Sequence, residues 1–190
     1  WGVGMSGVSM RPLGELCDIL DSKRKPITKR DREAGPFPYY GATGVQDYVA
    51  GFLFDEPLVL VGEDGAKWES GESTAFPVDG KVWVNNHAHV LRPDRKQLID
   101  KWLIYYLNFS DLAEFTSGLT VPKLNQASLR GIPVPLPPLA EQRRIVALLD
   151  EAFAGIATAK ANAEKNLRNA RALFDQSLRD VFTRKGRGWV

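Results

Sequence analysis

One cysteine and two histidines among 190 residues leave little material for redox or metal chemistry. Cys17 has no second cysteine with which to form an internal disulfide or to begin a zinc site, and it reads as a small buried hydrophobe. His87 and His89 stand two apart, so along a strand both would face one side, but no third ligand group accompanies them. A hydrogen-bonding role therefore suits them better than metal ligation. No apolar run approaches the roughly 18 to 20 residues of a spanning helix. The amino terminus also lacks the basic-then-apolar pattern of a secretory signal. The expectation is a soluble cytoplasmic protein with no membrane partner.

What is present is ordinary in bulk and uneven in distribution. Hydrophobic residues at 44% and charged residues at 25% are close to globular averages, which argues against disorder. The net charge of +2 conceals two opposite parts. Residues 1–138 carry 15 Lys+Arg against 17 Asp+Glu, a net of −2, while residues 139–190 carry 10 against 6, a net of +4. Within the acidic part, Asp21 to Glu33 (DSKRKPITKRDRE) holds six basic residues against three acidic ones. Its cations Lys23, Arg24, Lys25, Lys29 and Arg30 can grip phosphates, or they can form a solvated charge run. Gly2, Gly4 and Gly7 have the spacing GxGxxG, but no strand precedes them and no helix follows, so a nucleotide site is not expected there.

From residue 11 to about 138 the chain reads as an α+β domain, with short apolar runs punctuated by Gly, Pro, Asp and Asn. Strands are expected at Leu58 to Val61, Val82 to Val84 and His89 to Leu91, and a helix at Leu98 to Leu107, with helix again at Asp111 to Phe115. Ile132 to Leu139 (IPVPLPPL) has four prolines in eight residues and predicts a stiff, extended boundary. Beyond it, residues 139–184 contain no proline and are rich in Ala, Leu, Glu, Arg and Lys, which predicts one long helix.

Val146, Phe153, Lys160, Leu167, Phe174 and Val181 recur every seven residues along that helix. Leu149, Ile156, Ala163, Ala170 and Ser177 follow by three, completing a seam of coiled-coil type with one lysine interruption. A seam of this length cannot be covered by a small neighbouring domain. Val146, Leu149, Phe153, Ile156, Leu167, Phe174 and Val181 are thus candidates for a dimer or partner interface.

The segment GLTVPKLNQASLRGIPVPLPPLAEQRRIVALLD, from Gly118 to Asp150, runs from a Gly-Leu-Thr turn through a helix start and a proline-rich strand to a second helix start. Together with YYGATGVQDYV from Tyr39, LVLVGEDGAKW from Leu58 and VNNHAHVLRP from Val84, it resembles the DNA-specificity subunits of type I restriction-modification systems. The order of these motifs is that of one target-recognition domain and one spacer helix, half of the usual two-part subunit. The resemblance implies a non-catalytic subunit that binds double-stranded DNA and recruits modification (methyltransferase) and restriction subunits. With one half of the usual pattern, the chain is expected either to pair with itself through the long helix or to be a fragment of a longer chain. It also implies that S-adenosylmethionine binds the modification subunit and that this chain carries no cofactor. In agreement, the chain has neither a cofactor loop nor an Asn/Asp-Pro-Pro-aromatic motif to hold a flipped base.

On this resemblance, Ala42, Thr43 and Gly44 are candidates for close approach to DNA, with Gly41 and Gly44 permitting a tight turn of positive φ. Tyr39, Tyr40 and Tyr48 either pack as core aromatics or stack at the DNA surface. Lys67 and Trp68 follow a Gly-flanked loop, and Lys67 can meet a phosphate or a guanine edge. Glu63 and Asp64 serve either turn formation or cytosine recognition, and Asn85 and Asn86 either close a turn or read adenine. Thr120, Lys123 and Asn125 occupy a turn and helix start where free backbone amides could meet a phosphate. The alternative reading is a coiled-coil scaffold whose α+β head binds protein.

Overall fold

Alternation of side chains along LVLVG explains the centre of the fold. A computed structural model describes residues 8–118 and 122–183 and divides the chain into two compact units between residues 146 and 147. In the first unit, β1 (Met10–Pro12), α1 (Leu13–Leu16) and β2 (Cys17–Ile19) are followed by β3 (Ala34–Gly41) and β4 (Gly44–Val49). Then come β5 (Phe54–Asp55), β6 (Leu58–Gly62), β7 (Ala75–Val78), β8 (Lys81–Val84) and β9 (Ala88–Pro93). The unit continues with α2 (Asp100–Phe109), α3 (Gln126–Gly131) and β10 (Pro133–Pro135), and α4 (Leu139–Thr183) begins in it.

The sheet β2-β9-β6-β7 is antiparallel throughout. Every residue of β6 is buried, because both faces of this sheet are covered. Val59 and Val61 point into a core with Leu103, Leu107, Leu129 and Val134, whereas Leu58 and Leu60 point into a second core with Val82, Val84 and Val90. The second core lies against the sheet β4-β3-β8-β5, in which only the β3–β8 pairing is parallel. Helices on one face and a second sheet on the other give the α+β architecture that the residue pattern predicts. Cys17 is buried, and that burial, with Asp100 next, pushes its thiol up to about 12, so it stays neutral in the core.

The expected strands are present and longer by one to three residues, and the expected helix is displaced to Asp100–Phe109. The backbone N–H of Leu98 still donates to Asp94, and Ile99 donates to the side chain of Gln142, so the helix begins later than its apolar spacing suggests. The helix expected at Asp111 to Phe115 is a single 3-10 turn, Ala113–Phe115. The proline-rich boundary is extended, but it is also a strand: β10 pairs with β1 in the register Met10↔Pro135, Arg11↔Val134 and Pro12↔Pro133.

Helix α4 has 45 residues. Gln142 and Val146 are buried in the first unit, where Gln142 donates to the carbonyls of Gln97 and Pro137. Val146 was expected to open the intermolecular seam; instead it packs in the globular core and is not available to a partner. In the second unit, Phe153, Ile156, Leu167, Phe174 and Val181 are exposed, and Leu149 is half-buried. No helix among the described residues is long and apolar enough to cross a membrane.

Candidate nucleic-acid interface

Four loops that are distant in sequence meet at one rim of the first unit. The β3–β4 turn reaches the end of β6, where a Cβ on Gly62 would collide with Ala66 and stand 3.2 Å from the carbonyl of Ala42. Glycine at 62 is what lets the hairpin tip come so close. From the β6 end, Glu63 N–H donates to the carbonyl of His87 at 2.8 Å, and Leu124 N–H donates to the carbonyl of Glu63 at 2.9 Å. The imidazole Nδ1 of His87 lies 2.5 Å from Asp64 Oδ1, and Asp64 forms a backbone bridge with Lys123. Asn85 N–H donates to the carbonyl of Tyr40 at 3.0 Å, which closes the circuit back to the hairpin.

Beneath the rim lies a buried polar cluster. Asp21 Oδ1 accepts from Val90 N–H at 2.9 Å, while Oδ2 contacts His89 Nδ1 at 2.6 Å and Gln126 Nε2 at 3.0 Å. Arg24 Nη1 donates to Glu63 Oε2 at 2.5 Å and to the carbonyl of Ala88 at 2.8 Å, and Nη2 is 3.3 Å from Asp21. Lys123 Nζ lies 2.8 Å from the other oxygen of Glu63. His89 Nε2 is 2.7 Å from the carbonyl of Leu124, so both ring nitrogens face acceptors.

Burial works against ionising Asp21, yet the hydrogen bond and charge of His89, followed by Val90 and Gln126, outweigh it and hold the carboxyl below its ordinary value. Glu63 behaves likewise: burial opposes its charge, and Lys123 and Arg24 overcome the opposition. The hydrogen bond to Glu63 raises the pKa of Lys123. Asp21, Glu63 and His89 place one possible ligand atom each within 4.8 Å of one another, a spacing that a metal ion could use. Both carboxylates already face a guanidinium, and Glu63 faces an ammonium as well, so side-chain cations supply the countercharge.

This placement revises several expectations. Arg24 is not a free phosphate contact, because its guanidinium is largely buried against Asp21 and Glu63. Trp68 packs in the helix-side core, and Ala42 is 5% exposed, so neither side chain presents a surface to DNA. Asn125 caps α3, accepting from Ser128 N–H at 2.9 Å, which leaves one fewer backbone amide there for a phosphate. Tyr39 is a core aromatic, with Arg32 over its ring at 4.2 Å.

Lys23, Lys25, Lys29 and Arg30 are exposed, and Thr43 is exposed on the hairpin turn beside Gly44, whose φ is +121°. Lys67 is exposed and pairs with Glu72 at 3.2 Å. Lys123 is partly exposed and held by Glu63, with Asp64 at 3.7 Å. Thr120 lies outside the described residues, as do Gly2, Gly4 and Gly7. Asp21, Gln46 and Gln126 join the site without a local sequence signal. Asp21 stands 68 residues before its histidine and 105 before Gln126, separations across which a single sequence carries no local pattern.

Residues 5–167 match the family model of the type I restriction modification DNA specificity domain. The chain belongs to this family. It is 39% identical over 145 residues to a putative type I restriction enzyme specificity subunit of Haemophilus influenzae, covering 76% of this chain and 37% of that protein. A solved chain described under the complex assembly and conformational transition of the type I R-M system has a TM-score of 0.73 at 24% identity, covering 95% of this chain and 47% of the other. A type I restriction-modification S subunit from M. genitalium has a TM-score of 0.62 at 16% identity, covering 96% and 48%. At these identities the two structures speak to the fold alone. The chain thus spans about a third to a half of the length of the relatives it matches.

Proposed function

We propose that this member of the specificity family reads a short DNA half-site in the major groove and does no chemistry on it. The convergence of the β3–β4 turn, the loop after β6, the β8–β9 loop and the segment before α3 at one rim supports this reading. Such a rim offers polar groups from several loops to one stretch of base edges. The helix beyond residue 146 pairs with the same helix of a second copy and docks a modification subunit, and where the system contains a restriction subunit it reaches this chain through that assembly. S-adenosylmethionine belongs to the modification subunit.

The test is to map methylated bases in cells with and without the gene. One methylated motif should vanish on deletion, and an unchanged methylome would refute the reading. Purified chain alone should transfer no labelled methyl group to DNA, and transfer without a modification subunit would show it to be an enzyme.

Phosphate grip and base reading should separate by mutation. Replacing Lys23, Lys25 and Lys29 with Gln should weaken binding about equally on cognate and unrelated duplexes. It should also flatten the dependence of log K on log salt by up to about 0.9 for each lost phosphate contact. Thr43→Ala should instead weaken cognate binding selectively if its hydroxyl touches a base. Competition binding at two salt concentrations reads both effects, and a selective cognate loss in the lysine variants would place base reading in the basic segment.

A further inference from the structure

Gln46 belongs to none of the expected site residues, yet the rim fixes its amide. It is exposed on β4, and its Oε1 accepts from Asn85 Nδ2 at 3.2 Å. Asn85 is only 2% exposed, and its own Oδ1 accepts from the backbone N–H of His87 at 2.8 Å. A backbone N–H can only donate, so the oxygen of the Asn85 amide must face it and the NH2 must face Gln46. Gln46 is thereby obliged to turn its oxygen toward Asn85. The amide also lies where a Cβ on Gly41 would stand, so the glycine at the end of β3 leaves room for this arrangement.

The outcome is an exposed side chain whose acceptor and donor are ordered by the protein interior. Of the base edges in the major groove, adenine offers a matching pair, N6–H as donor and N7 as acceptor. Guanine offers two acceptors there, cytosine a lone amino donor, and thymine an acceptor beside a methyl group. We propose that Gln46 is a specificity-determining residue that selects adenine at one position of the recognised site, with Asn85 as its positioning residue. This rests on the DNA-reading function proposed above.

Selection from randomised duplexes, with the full chain assembled with its modification subunit, tests the assignment. The unaltered chain should enrich a motif containing adenine. Gln46→Ala should lower the adenine preference at one position by about tenfold to a hundredfold while the other positions keep theirs. Gln46→Glu replaces the amide donor with a second acceptor and should shift that same position toward cytosine. Asn85→Asp removes the NH2 that orders the amide and should relax the same position, a pattern that a general loss of folding would not produce.

Unchanged base preferences in Gln46→Ala, or a loss spread evenly over all positions, would overturn the role of Gln46 while leaving the DNA reading intact. Failure of the unaltered assembly to enrich any motif would overturn both. Because Gln46 is exposed, its variants test the idea even if the Asn85 variant does not fold.

Discussion

Asp21→Ala should cost about 3 to 5 kcal/mol of folding stability, the range for breaking a buried charge pair by removing one partner. The substitution strands several groups at once: the Nδ1 of His89, the backbone N–H of Val90, and one contact each of Gln126 and Arg24. Replacing the pair with apolar groups would be milder, because the large cost comes from the donors left buried without an acceptor. The pH dependence has a definite sign. The folded-state pKa of Asp21 is lowered, so its contribution is fully present above the unfolded carboxyl value of about 3.9 and is lost as pH falls through the folded value. Urea unfolding at pH 7 and at pH 3 should show the gap between parent and variant narrowing at the acid end. Equal stability of the two at pH 7 would mean that the cluster does not hold the fold.

Phe153→Asp combined with Leu167→Asp should convert a dimer of this chain to monomer. Both positions are exposed in the second unit and lie on one stripe with Ile156, Phe174 and Val181. Burying a phenylalanine or a leucine is worth roughly 1.5 to 3 kcal/mol, and a dimer loses each contact twice, so the pair should weaken association by a hundredfold or more. Sedimentation equilibrium measures this directly. A monomeric parent chain at micromolar concentration would exclude self-pairing through the helix. Because Val146 packs in the globular core, Val146→Ala should reduce the stability of the first unit by roughly 1.5 to 3 kcal/mol and leave association unchanged.

Where local rules govern the chain, the sequence was legible. The unbroken run Ala140 to Thr183 without proline could hardly be anything but helix, and LVLVG between turn residues had the length and β-branching of a buried strand. The hairpin at Gly41 to Gly44 was readable for the same reason, although only Gly44 takes a positive φ; Gly41 is needed for the space that Gln46 occupies. The rim was only half legible. His87, Asp64 and Lys123 could be named from their surroundings, but nothing local distinguishes Arg24 from Lys23 or Lys25. The difference between a buried guanidinium and a free ammonium is made by Glu63, 39 residues away. Trp68 was misplaced for a related reason: Gly65 turns the loop with φ +67°, and the chain re-enters the core sooner than the polar neighbours of the tryptophan suggest.

The carboxylates of Glu63 and Asp64 pair with the cations nearest the rim, and on the proposed function this shapes how the chain would search a genome. A protein that meets DNA with a row of free cations dwells on any sequence, because phosphates are everywhere. Here Arg24 is spoken for by Asp21 and Glu63, and Lys123 by Glu63, before any nucleic acid arrives. If the chain reads DNA as proposed, attraction to an unrelated duplex would fall to the exposed lysines of the basic segment, while a matched duplex would gain base contacts on top of that modest pull. On the proposed DNA-reading function, visits to wrong sites would be brief, and the chain would trade raw tenacity for a higher ratio of matched to unmatched occupancy, the quantity that counts when competing sites number in the millions.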